Sequence, residues 1–209
     1  MSTERFPDCG TEPLGLYPIV ERLDWVERLL DHGVTTLQLR MKHQPEELRE
    51  VEVPLAIERA AEFGARLFIN DEWQMALEHG AYGVHLGQDD LADLSDADLE
   101  ALRASGMRLG VSTHSAEEIA VANAVRPSYI AIGTVFRTTS KVMTWEPLGL
   151  DGFSALLPKC EAPVVAIGGM NLERAPGVVE RGANGIAVIT AIRESADLAS
   201  DIAAWQGLW

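Results

Sequence analysis

Short apolar runs alternate along the chain with longer segments whose apolar positions recur at helical spacing. The runs are Leu14 to Val20, Thr36 to Leu39, Arg66 to Ile69, Gly83 to Leu86, Arg108 to Val111, Tyr129 to Ile132, Val164 to Ile167 and Gly185 to Ile189. Each is bounded by turn residues and several are rich in valine and isoleucine, the pattern of strands buried on both faces. The intervening periodicity predicts helices that include Asp24 to Asp31, Pro45 to Phe63, Ser95 to Ala104, Ala116 to Asn123 and Asn171 to Arg181. Asn171 is placed to cap the last of these, and Gly182 to end it in the left-handed conformation. Glycine recurs where a helix should stop before a strand, at Gly33, Gly64, Gly80, Gly106 and Gly182. Strand, helix and glycine repeated without a linker predict an α/β fold, a (β/α)8 TIM barrel forming a single domain over residues 1–209; an open doubly wound sheet is the alternative. The longest irregular stretch, Gly133 to Leu148, follows the sixth strand. In such a barrel the chemistry sits at strand C-termini and in the loops after them.

Composition narrows the partners. The chain has 209 residues, 47% of them apolar, enough to bury one full core. Its net charge of -15 opposes a surface that tracks nucleic acid or an anionic membrane, so any anion must be met by a local cationic pocket. Small-molecule partners are expected; a homo-oligomer is compatible with the sequence but not specified by it. Cys9 and Cys160 fit neither a disulfide framework nor a zinc cluster and read as thiols of a reducing compartment. No run approaches the length of a membrane span and MSTERFPDCG lacks a signal-peptide core, so the expected location is cytoplasmic.

The expected rim is rich in polar groups. After the second strand Gln38, Arg40 and Lys42 alternate onto one side of an extended chain; they are either an anion site or a solvated strand exit. The third strand ends at Asn70-Asp71 and the fourth is followed by Gly87-Gln88-Asp89-Asp90. Two carboxylates from adjacent strands suit Mg²⁺, which retains waters and accepts phosphate oxygens. Asp71 and Asp90 could equally cap the following helices, or work as an acid/base pair. A hydroxyl-rich loop after the sixth strand runs through Thr138-Thr139-Ser140 to Lys141, and Gly168-Gly169 and Ile189-Thr190 follow the last two strands. Those final loops are the usual phosphate site of such barrels, although a glycine pair also makes a tight turn. His85 reads as a core histidine, and His32, His43 and His79 as surface residues.

Taken in order, QLRMK, FINDEW, YGVHLGQDDL, LGVSTHS, IGTVFRTTSK, VVAIGGM and GIAVITAI, spread from about Gly15 to Ile192, resemble the thiamine phosphate synthase family. The resemblance implies a Mg²⁺-dependent transferase that joins 4-amino-5-hydroxymethyl-2-methylpyrimidine diphosphate to a thiazole phosphate, releasing pyrophosphate; whether the thiazole is carboxylated is left open. It implies that Gln38, Leu39, Arg40, Met41, Lys42, Asn70, Ser112 and Lys141 hold the pyrimidine diphosphate, with Arg40, Lys42 and Lys141 catalytic. Asp71 and Asp90 would bind the metal. Thr138, Thr139, Ser140, Gly168, Ile189 and Thr190 would hold the thiazole phosphate. The implied mechanism breaks the C–O bond to pyrophosphate first, and the thiazole nitrogen captures the resulting cation. The chain departs from the family pattern at Thr134, commonly proline or histidine, and at Ser140, usually threonine. Rival readings on the same fold are a thiazole tautomerase, a noncatalytic phosphate-sensing barrel and a phosphate-handling isomerase.

Overall fold

Eight parallel strands close into a barrel in sequence order, β1 Gly15–Val20, β2 Thr36–Leu39, β3 Arg66–Asn70, β4 Gly83–Leu86, β5 Arg108–Thr113, β6 Tyr129–Ile132, β7 Val164–Ile167 and β8 Gly185–Val188, with β8 pairing back onto β1. The expected TIM barrel is thus observed, in a computed structural model that describes residues 4–138 and 146–209. Closure in this order removes every sheet edge.

Side-chain alternation along the strands divides the apolar residues into two layers. Leu37, Leu39, Leu67, Ile69, Val84, Leu86, Val111, Ile130, Ile132 and Ile186 face outward into the layer shared with the helices. Tyr17, Ile19, Phe68, Tyr129, Val165 and Ala187 fill the lumen. Phe68 and Tyr129 meet edge to face at 5.1 Å between centroids, the arrangement favoured by ring quadrupoles. Glycines beside them on the neighbouring strands make room. A Cβ at Gly83 would lie 2.6 Å from the Phe68 ring, and one at Gly110 would overlap the Tyr129 ring. Pairing a large residue with a glycine on the adjacent strand therefore lets so narrow a barrel hold three aromatic rings.

The helices are α1 Leu23–Asp31, α2 Glu46–Glu62, α3 Trp73–Glu78, α4 Gln88–Ala92, α5 Asp96–Ala104, α6 Ala116–Val125, α7 Gly149–Leu156, α8 Ala175–Val179, α9 Thr190–Arg193 and α10 Leu198–Gln206. Ser95 caps α5 by accepting from the Asp98 N–H, and Ser115 caps α6 in the same way. The glycines expected to stop helices all have positive φ, from 63° at Gly64 to 102° at Gly182, a region that favours glycine. The helix expected over Asn171–Arg181 is shorter. Asn171 does accept the Arg174 N–H at 2.9 Å, but this closes a turn, and the helix begins at Ala175 with Pro176 in its first turn, where a missing N–H is tolerated. Among the described residues no helix is long and apolar enough to cross a membrane.

Candidate active site

The C-terminal ends of β2, β3 and β4 bring the expected charged residues to one side of the rim. Gln38 points into the lumen and is 2% exposed, while Leu39 and Met41 belong to the outer layer. Any contact from Leu39 or Met41 to a molecule at the mouth would come from backbone. Arg40 is held at the mouth by its N–H bond to the Val20 carbonyl and is partly exposed; among the described residues no hydrogen bond or ion pair uses its guanidinium. Lys42 is exposed and its Nζ lies 3.2 Å from Asp71 Oδ2.

Asp71 is fixed from below: its N–H donates to the His85 carbonyl at 3.0 Å, which ties the end of β3 to β4. Its φ is 64°, an uncommon conformation for a residue with a side chain, of the kind that clusters at functional sites. Asp71 does not cap α3; Glu72 is the cap residue and makes no side-chain cap bond. Glu72 is instead bridged by Arg49 of α2 at 3.0 Å. Asp90 does serve as a cap, its Oδ2 accepting the Gly87 N–H at 3.2 Å. Its neighbour Asp89 is exposed while Asp90 is partly buried.

Could these residues hold a metal? Asp71 and Asp90 offer oxygen donors from adjacent strand ends, and Asp71 already attracts a cation in Lys42. Among the described residues no cluster of three or more His, Cys, Asp or Glu is placed to hold an ion. A two-carboxylate site completed by water and phosphate oxygens is the arrangement Mg²⁺ accepts, so the residues fit that ion.

Below the mouth lies a chain of polar side chains that inspection of the sequence did not assemble. Gln38 Nε2 donates to the Tyr17 hydroxyl at 3.3 Å, the Tyr17 and Tyr129 hydroxyls lie 2.7 Å apart, and Tyr129 meets His85 Nδ1 at 2.6 Å. His85 Nε2 meets the Ser112 hydroxyl at 2.7 Å. His85 is a core histidine as expected, but with both ring nitrogens engaged. Burial first, then the charge of Arg40, pushes its imidazole down to about 4, against the pull of Asp90. Burial likewise raises the Tyr17 and Tyr129 hydroxyls above the usual phenol range. Asn70, 9% exposed, sits beside this layer at the end of β3. The available signal was a polar residue at an inward strand position, visible for His85 between Val84 and Leu86.

On the opposite side of the rim the loops after β6 and β7 are knitted together. Val135 and Phe136 donate to the carbonyls of Ile167 and Gly168 at 2.9 and 3.0 Å. A Cβ at Gly168 would fall 2.6 Å from that of Thr134, and one at Gly169 would overlap the Arg137 carbonyl. The glycine pair is therefore demanded by its packing, on top of any contact to an anion. Ile189 and Thr190, both partly buried, start α9 at the end of β8. Thr138 is partly buried; Thr139, Ser140 and Lys141 lie outside the described residues. His114, after β5, is paired with Glu118 of α6 at 2.9 Å.

Fold and rim together define the class, a (β/α)8-barrel enzyme with its polar groups gathered at the C-terminal mouth. A family model described as thiamine monophosphate synthase matches residues 16–192, and the chain belongs to that family. The thiamine-phosphate synthase of Shigella boydii serotype 4 is 53% identical over 194 residues, which is 91% of this chain and 90% of that protein. The enzyme of the same name from Salmonella typhimurium is 50% identical over the same shares. Among solved structures, thiamine phosphate pyrophosphorylase from Pyrococcus furiosus superposes with a TM-score of 0.78 at 30% identity, covering 93% of this chain and 95% of that one. A 3-hexulose-6-phosphate synthase, at 17% identity and a TM-score of 0.67, shares the fold.

Proposed function

We propose that the β2 to β5 side of the mouth binds a pyrimidine diphosphate together with Mg²⁺, and that the loops after β6, β7 and β8 bind a thiazole phosphate. The reaction is the family's transfer, in which the two are condensed to thiamine phosphate with release of pyrophosphate. In this reading Arg40, Lys42 and Lys141 hold the diphosphate, with Gln38, Asn70, Ser112 and the backbone of Leu39 and Met41 beside them. Asp71 and Asp90 are the metal ligands. Thr138, Thr139, Ser140, Gly168, Ile189 and Thr190 surround the thiazole phosphate.

The observation that carries the reading is the state of Arg40, a guanidinium at the barrel mouth with no described protein partner, next to a lysine and two carboxylates. Arginine matches phosphate oxygens with two parallel donors, and one at the barrel mouth with no partner among the described residues is available for an anion. As the C–O bond breaks, its electron pair passes to the pyrophosphate oxygen and negative charge grows where Arg40 and Lys42 lie. The thiazole nitrogen then uses its lone pair to form the new C–N bond. Mg²⁺, when bound, adds further neutralisation of the leaving group. Groups aimed at developing charge accelerate the step without any protein base, which agrees with a site whose histidine is buried and fully engaged. Incubating the protein with both substrates and Mg²⁺, then assaying thiamine phosphate and pyrophosphate, tests the reading. Equimolar appearance of the two is expected, and EDTA should abolish it. Product formation that survives EDTA removes the metal from the proposal.

A further inference from the structure

We infer that the buried chain Gln38–Tyr17–Tyr129–His85–Ser112 is polarised in one direction and presets the Ser112 hydroxyl as a hydrogen-bond donor to the diphosphate, with His85 as a positioning residue acting through Ser112. The inference rests on the reading above that the diphosphate lies beside Ser112.

Proton counting gives the direction. Gln38 donates an amide proton to the Tyr17 oxygen, so the single Tyr17 proton turns to Tyr129. The Tyr129 proton then goes to His85 Nδ1. A neutral imidazole that accepts at Nδ1 carries its proton on Nε2, and that proton is donated to the Ser112 oxygen. Ser112 thereby receives a bond while its own proton stays available to a ligand. Run the other way, the chain would take the Ser112 proton for Nε2 and leave only lone pairs facing the mouth. A diphosphate accepts hydrogen bonds and donates none, so it would be repelled. The amide at one end and the ligand chemistry at the other select the same direction.

The scheme needs a neutral imidazole, since the charged ring would donate from both nitrogens and break the sequence at Tyr129. The ring is buried and meets a hydroxyl, not a carboxylate, at each of its two nitrogens, an environment that favours the neutral form. Four different strands besides that of Ser112 supply the links, so the serine's hydrogen-bonding role is set by residues as far away in sequence as Tyr17.

The test combines ¹⁵N NMR of the His85 ring with single-turnover rates for Tyr129→Phe, Ser112→Ala and the double variant. The wild type should carry the proton on Nε2. Tyr129→Phe, which keeps the ring and removes one oxygen, should give a mixture of tautomers and slow turnover by about tenfold, without changing the KM for thiazole phosphate. The double variant should be no slower than Ser112→Ala. A proton on Nδ1 in the wild type overturns the inference, and so does a wild-type rate in Tyr129→Phe beside a slow Ser112→Ala, which leaves the diphosphate reading intact. A wild-type rate in Ser112→Ala removes that reading and the inference together. Should Tyr129→Phe fail to fold, Tyr17→Phe removes the same polarity one link further back, and the wild-type NMR result stands independently of both.

Discussion

At the N-terminal end of the barrel Arg66 places its guanidinium against the carbonyl oxygens of Cys9, Glu12 and Pro13 and the hydroxyl of Thr36. Arg108 does the same with Asp8 and Gly106 and lies 4.5 Å over the Tyr82 ring. At the C-terminal end, among the described residues, Arg40 has no hydrogen-bond or ion-pair partner for its guanidinium and Lys42 has only Asp71. Both ends are lined by cations from strand termini. What separates them is whether the donors are already satisfied. The lower arginines satisfy backbone carbonyls across the barrel floor, whereas the upper cations retain donors for a ligand. Charge alone does not mark a site; unsatisfied donors held rigidly at a concave surface do.

The largest expected effect breaks this comparison at the upper end. Asp90→Asn keeps an oxygen that can accept the Gly87 N–H while removing the charge a metal needs, so it separates capping from metal binding. Asp90→Asn and Asp71→Ala should each lower the rate at saturating substrates by at least about a hundredfold, and Asp89→Asn, on the exposed neighbour, should leave it unchanged. Full activity in the first two would return both carboxylates to a structural role.

Lys141 comes next. It lies outside the described residues, and its contact with the diphosphate is part of the proposal above. Lys141→Ala should cut the single-turnover rate by at least about tenfold while changing pyrimidine affinity less, and Lys141→Arg should rescue it partly, because a planar fork replaces a compact ammonium. Rates within about a factor of two of the parent would make it an ordinary loop lysine.

Exchanging the two ends directly gives a smaller pair of effects. Arg66→Ala should lower unfolding free energy by about 2 kcal/mol, since several carbonyls lose donors together, with the rate per folded molecule unchanged. Arg40→Ala should leave denaturant stability within about 0.5 kcal/mol and raise the KM for the pyrimidine diphosphate by about tenfold. Stability loss in the second or a kinetic defect in the first would show the division between ends to be wrong.

The legibility of the chain follows the same division. Strands read well because Val84-His85-Leu86 or Tyr129-Ile130-Ala131-Ile132 carry the outward apolar residues that the helix layer needs, and the glycines before strands reported left-handed turns. The span expected as one helix from Asn171 failed on a single residue, Pro176, which moves the helix start. The short α3, α4 and α9 carry too few residues for periodicity to register. At the site the rim charges were legible because each follows closely on the end of its strand. The buried chain was not, because Tyr17 and Tyr129 are 112 residues apart and nothing local distinguishes a hydroxyl with a partner from an aromatic in a core. Nor could sequence foretell that Gly168 is needed by Thr134, which makes a bulky substitution there a test of folding before it is a test of phosphate binding.

Between the two ends, the His85 layer yields the smallest prediction, one that asks whether the lumen is as dry as its geometry. A histidine unfolded in water titrates near 6.5, and burial beneath Arg40 lowers the folded value to about 4. Below 6.5 the unfolded chain therefore binds the proton that the folded chain refuses. His85 accordingly lowers net stability as pH falls, from almost nothing at pH 7 to at most about 2 kcal/mol at pH 5, and the trend levels off once pH drops below the folded value. Carboxylates elsewhere also contribute to acid sensitivity, so the useful quantity is a difference. His85→Gln has nothing to protonate; it should be less stable than the parent at pH 7, where it lacks the two ring hydrogen bonds, and should lose less between pH 7 and pH 5. Urea unfolding at both pH values measures the two slopes. Parallel slopes would mean that the imidazole takes up its proton in the folded barrel, that water reaches the layer, and that Arg40 stands over a wet lumen instead of a sealed one.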